Sequence, residues 1–178
     1  MPSRHRCLAL LLLAALNAAP LTAQEGIDVG KPSALRRLVP AEQIERQAGQ
    51  EYEQLKQQAA RQRALAPADH PQARRLQAIA RRLIPFADRF NPRAGQWRWE
   101  VNLIGSRDIN AFCMPGGKIA FYYGILQQLQ LSDSEVAMIM GHEMAHALRE
   151  HARERMGKQM ATQGVIGIGA ALLGLGDV

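Results

Sequence analysis

From Ala41 to about Ala64 the chain has no proline, and Ile44, Ala48, Tyr52, Leu55 and Ala59 recur at steps of four, four, three and four among Gln, Glu and Arg. That single narrow apolar stripe predicts an amphipathic helix. Pro67 and Pro71 bracket a turn, and Pro71 suits the first turn of a second helix. Its inward face is Leu76, Ile79, Ala80 and Leu83, and it ends before Pro85. The period then shortens to two. Trp97, Trp99, Val101 and Leu103 alternate with Arg98, Glu100 and Asn102, the pattern of a half-buried strand, until Gly105-Ser106 breaks it. Two more extended stretches, Ile109 to Met114 and Lys118 to Tyr123, flank Pro115-Gly116-Gly117, a hairpin-like turn. Ser132-Asp133-Ser134-Glu135 is a capping box that opens a helix running to about Met156, with Gly141 its one early glycine. Three short strands between helices, without a βαβ repeat, give an α+β class, mostly helical.

The two ends of the chain read differently. Arg4 and Arg6 precede an apolar run from Cys7 to Ala19, and small residues lead to Ala23 before Gln24. A basic start, about a dozen apolar residues and a small-residue exit describe a secretory signal peptide over residues 1–23. Residues 24–40 are punctuated by Gly and Pro and are expected to be extended, and 41–178 to form the main domain. Gly164 to Gly176 is apolar and glycine-studded, too short to cross a bilayer alone. A loosely packed helix and a membrane-touching segment both remain open there.

Composition narrows the function. Apolar residues make up 47% of 178 and charged ones 21%, which excludes a disordered or collagen-like chain. The net charge is +6, from 22 basic and 16 acidic residues, and loss of the leader reduces the basic count to 20. Scattered over the sequence, that surplus does not make a nucleic-acid protein. Export would leave Cys113 as the one cysteine, so no disulfide is expected within the chain.

The chemistry lies within the capped helix, at His142-Glu143-Met144-Ala145-His146. Histidines four apart share a helix face and can converge on one metal, and two neutral imidazoles suit Zn²⁺. Glu143 lies beside that face, where its carboxylate can take a proton from water activated by the metal and pass it to a leaving amine. On a continuous helix His151 stands about 140° around from His146. It is therefore expected as a supporting or surface residue, not as a ligand to the same ion. Arg149 and Ala152 occupy the positions where a metzincin has Gly and His, which excludes that class. Glu150 and Glu154 follow on the same helix, and Asp177 is the one later carboxylate. No third ligand is identified in this chain.

Asn110-Ala-Phe-Cys-Met-Pro-Gly-Gly-Lys118, Gly124-Ile-Leu, Ser-Glu-Val-Ala and His-Glu-Met-Ala-His-Ala-Leu-Arg-Glu-His151 together resemble the CAAX-prenyl-endopeptidase-like family of zinc gluzincins, in particular its bacterial periplasmic branch. The resemblance runs from about Glu42 to Val178. It implies a zincin-like fold, with a small three-stranded sheet beside the metal helix. It implies one Zn²⁺ per chain at His142 and His146, Glu143 as the catalytic base, and endoproteolysis of misfolded or unassembled envelope proteins in the periplasm. It further implies that the strand Asn110, Ala111, Phe112, Cys113 and Met114 borders the cleft and pairs with substrate backbone. In the family the third ligand is a glutamate of a Glu-x-x-x-Asp-type helix well beyond the metal helix, which places it past Val178. The alternative is a non-catalytic helical binding or chaperone-like module that holds zinc weakly. Association with the outer membrane and the oligomeric state are left open.

Overall fold

The computed structural model describes residues 33–172, with side chains to residue 164; the expected signal peptide and Asp177 lie outside the described residues. Helix α1 (Ala41–Arg61) buries Ile44, Ala48, Tyr52 and Ala59 along the stripe read from the sequence, with Leu55 half-buried. Helix α2 (Pro71–Leu83) starts on Pro71, whose missing N–H costs nothing in a first turn. The His70 ring caps it by accepting from the Gln72 N–H at 3.2 Å. Leu76, Ile79 and Ala80 face inward as expected.

The next segment departs from the expected strand. Two 3-10 helices, Ile84–Arg89 and Pro92–Gln96, come first, and β1 (Glu100–Ile104) begins only at Glu100. Trp97 and Trp99 lie outside it, their rings 5.3 Å apart. Their indole N–H groups bond to Glu45 Oε1 and the Ala94 carbonyl, each at 3.0 Å. The Trp97 backbone N–H closes the second 3-10 helix on the Ala94 carbonyl at 3.3 Å, so the ladder cannot begin there. Strand β2 is Ala111–Met114 and β3 is Lys118–Tyr122, shorter than their apolar runs. They form an antiparallel hairpin over Pro115-Gly116-Gly117. Gly117 has φ +77°, and a Cβ there would sit 2.6 Å from the Trp99 ring, so only glycine fits this turn. Tyr123, expected to continue the strand, starts a short helix instead, α3 (Tyr123–Leu129).

The sheet order is β1-β3-β2, with β1 parallel to β3. Its alternation serves two cores. Leu103, Ile119 and Phe121 join Leu76, Ile79, Met140 and Met144 in one, against α2 and α4 (Asp133–Leu148). Ile104 and Ala120 join Tyr52 and Ala59 of α1 in the other, with Phe112 and Met114 packed alongside. Tyr52 is buried, and its hydroxyl donates to the Ile119 carbonyl and accepts from Asn102. The mostly helical α+β reading therefore holds.

Two expectations need correction. Residues 34–38, expected to be extended, form a 3-10 helix capped by Ser33. The helix opened by the capping box does not run to Met156. It ends at Leu148, and after Arg149 and Glu150 a new helix, α5 (His151–Leu172), begins. Glu150 takes φ +58°, left-handed backbone that ends an α-helix and costs a residue bearing a Cβ about 1 kcal/mol. Contacts from elsewhere in the chain meet at this bend. Buried Asn91 donates to the Leu148 carbonyl at 3.1 Å, and that carbonyl would serve residue 152 in a continuous helix. Arg36 and Arg153 hold the Glu150 carboxylate at 3.2 and 3.0 Å, and Arg153 also donates to the Val39 carbonyl at 2.6 Å. The glycine-studded tail is helical as far as Leu172, and among the described residues no helix is long and apolar enough to cross a membrane.

Candidate metal centre

The four-residue spacing on α4 brings His142 and His146 together as the helix repeat requires. Their rings stand 4.6 Å apart at 89°, and the two Nε2 atoms are 3.0 Å apart. Zn–N bonds of 2.0–2.1 Å in a tetrahedral site place two such nitrogens about 3.3 Å apart. The observed pair is within a few tenths of an ångström of that spacing, both rings are exposed, and the donors are the kind zinc takes. Residues and geometry therefore fit a shared zinc ion.

Glu143, half-buried, faces a cavity of about 760 Å³ together with His146. Phe112, Cys113 and Met114 of β2 form one wall, Ile44, Ala48 and Glu51 of α1 another, and Ala152, Arg155 and Met156 of α5 a third. Of the five residues expected along the cleft, Asn110 and Ala111 are not among its lining. The Asn110 carbonyl accepts from the Tyr122 N–H at 3.0 Å, and Ala111 is buried against α4. As the sheet order requires, among the described residues β2 is an edge strand paired only with β3. Burial, with the Glu143 carboxylate adding to it, pushes the Cys113 thiol up to about 12. The thiol thus stays neutral at physiological pH and behaves as a small apolar side chain.

Among the described residues no three His, Cys, Asp or Glu side chains are grouped to hold one ion. His151 does not supply the third ligand, but it is not remote either. The bend at Glu150 turns its ring onto His146, with the two Nδ1 atoms 2.6 Å apart. The sequence carried only a weak signal for this, a third histidine soon after the pair. The sequence carries no signal that Glu51, Arg155 and Lys158 line this cavity, because nothing local shows that α1 and α5 meet across it.

Residues 70–176 match the family model described as Peptidase family M48. The chain belongs to that family. Among M48 relatives, the metalloprotease LoiP of Escherichia coli K12 is 31% identical over 101 residues, 57% of this chain and 36% of LoiP. The mitochondrial metalloendopeptidase OMA1 of Schizosaccharomyces pombe is 28% identical over 111 residues, 62% of this chain and 31% of that protein. The Arabidopsis thaliana OMA1 is 42% identical over 62 residues, 35% of this chain and 13% of its own length. The chain thus spans little more than a third, at most, of the curated relatives it matches. No solved structure matches it. Membership in M48 agrees with the resemblance read from the two motifs, which lie within the matched span.

Proposed function

We propose that this chain carries the metal-binding and base residues of an exported zinc metalloendopeptidase that cleaves misfolded or unassembled envelope proteins in the periplasm. The observation that carries the reading is the facing Nε2 pair of His142 and His146 beside Glu143, with His146 and Glu143 on a cavity walled by an edge strand. His142 and His146 hold the ion, one per chain, through Nε2. When bound, zinc supplies Lewis acidity to water and to the scissile carbonyl. Glu143 takes the proton of the attacking water on its carboxylate and returns it to the departing amine. The unpaired edge of β2 offers N–H and C=O groups to an extended substrate, and binds backbone with little regard for side chains. That suits unfolded protein as a substrate class. The exported setting is supported by the basic-apolar-small pattern of residues 1–23.

Glu143→Gln tests the base. It is expected to leave zinc bound and to lower cleavage of casein by about 10²–10⁴-fold. Undiminished cleavage in that variant would remove Glu143 from the role. A second reading, a non-catalytic binding module with weakly held zinc, is favoured by the lack of a three-residue metal group among the described residues. Zinc content after dialysis separates the two. About one zinc per chain, lost in His146→Ala, supports the peptidase, and near-zero zinc in both supports the binding module.

A further inference from the structure

The peptidase chemistry set out above makes no use of His151. Its position is nonetheless specific. Left-handed Glu150 turns the chain between α4 and α5, so the first residue of α5 faces back onto the last turn of α4. There the His151 ring packs at 4.9 Å and 60° to the His146 ring, with Nδ1 2.6 Å from Nδ1. His146 is thus engaged at both nitrogens, Nε2 towards His142 and Nδ1 towards His151.

A neutral imidazole carries one proton, and its two nitrogens cannot both be bare. A metal on Nε2 of His146 places that proton on Nδ1. The Nδ1 atom of His151 is the acceptor in line with it. We propose that His151 is a positioning residue, whose Nδ1 accepts the Nδ1 proton of His146 and so holds that ring with Nε2 bare and turned towards His142. The inference rests on the metal-binding reading given above. Histidine rings have a broad, nearly two-fold second torsion, so an exposed ring without a fixed partner samples both nitrogens at the site. A fixed acceptor removes that ambiguity, as second partners of ligating histidines do in general, typically worth 10–100-fold in metal affinity.

His151 does not act as a ligand itself, because its Nδ1 meets His146 on the side away from His142. Its Nε2 lies 3.4 Å from Arg149 Nε, the longest contact of the chain running from Arg149 through His151 and His146 to His142. Once His151 accepts at Nδ1, its own proton sits on Nε2. This long contact is then the one relinquished on metal loading.

The test uses the full chain, with Co²⁺ and Zn²⁺ affinities measured by competition against a chelator, in the wild type, His151→Leu and His151→Gln. The expected result is a 10–100-fold loss in His151→Leu and recovery of most of it in His151→Gln, whose amide oxygen can accept the same proton. Wild-type affinity in His151→Leu, or equal losses in both variants, overturns the inference and leaves the metal-binding reading standing. A wild-type chain that binds neither ion overturns both. Should His151→Leu fail to fold by circular dichroism, ¹⁵N NMR of the zinc-loaded wild type decides. A scalar coupling across the N–H···N bond between His146 and His151 supports the assignment, and its absence overturns it.

Discussion

At its first turn α4 is capped by its own sequence: Ser132 Oγ accepts from the Glu135 N–H, and the Glu135 carboxylate accepts from the Ser132 N–H at 2.7 Å. At its last turn it is held by residues far away in the chain. Asn91 takes the Leu148 carbonyl across 57 positions, and Arg36 reaches Glu150 from the opposite end of the described chain. The first end sets where the helix begins, and Arg75 of α2 ties it to the fold through Asp133 and the Leu131 carbonyl at 2.5 and 2.6 Å. The second end sets where His151 points, onto the His146 ring. A local cap fixes where α4 begins, whereas long-range contacts decide where it ends and how α5 sets off.

The sharpest way to break this contrast is at Gly157. A Cβ there would lie 2.1 Å from the Leu35 carbonyl oxygen, a backbone atom that cannot swing away. Gly157→Ala is expected to cost about 3 kcal/mol or more in chemical denaturation. It should also loosen the 3-10 helix that carries Arg36, and so weaken metal binding. Asn91→Ala comes next, at about 2 kcal/mol, because it leaves the Leu148 carbonyl without its partner. Its zinc affinity should fall with its stability. Ser132→Ala is the mildest, about 1 kcal/mol by the loss of one cap bond, with zinc affinity unchanged. Were Ser132→Ala to lower zinc affinity as much as Asn91→Ala does, the two ends would not differ in the way described.

The same division explains what could be read from the sequence. The stripe of α1, the proline start of α2, the capping box and the His142–His146 pair are all set by residues within four positions of one another, and all appear where the pattern puts them. The hairpin was legible because Pro115-Gly116-Gly117 has few other uses between apolar runs. The bend at Glu150 was not, since the residues between Leu148 and His151 contain neither glycine nor proline. The long-range partners of this bend, Asn91 at the Leu148 carbonyl and Arg36 at the Glu150 carboxylate, lie far away in the sequence. Trp97 and Trp99 misled for a related reason: their alternation is real, but the Trp97 backbone N–H closes the preceding 3-10 helix on the Ala94 carbonyl, and the ladder begins only at Glu100.

The connection between α4 and α5 has only two residues, Arg149 and Glu150, and this restricts how the chain can vary in length. One inserted residue would lengthen a connection whose ends are pinned by Asn91 at Leu148 and by Arg36 at Glu150, so α5 would have to reseat as a whole. His151, Ala152, Arg155 and Met156 would all leave the cavity wall together, although none of them had been changed. A deletion would do the same. Substitutions along α5 alter the cavity one side chain at a time, but an insertion or deletion at Arg149-Glu150 exchanges an entire wall, so this is where the chain should tolerate a change of length least.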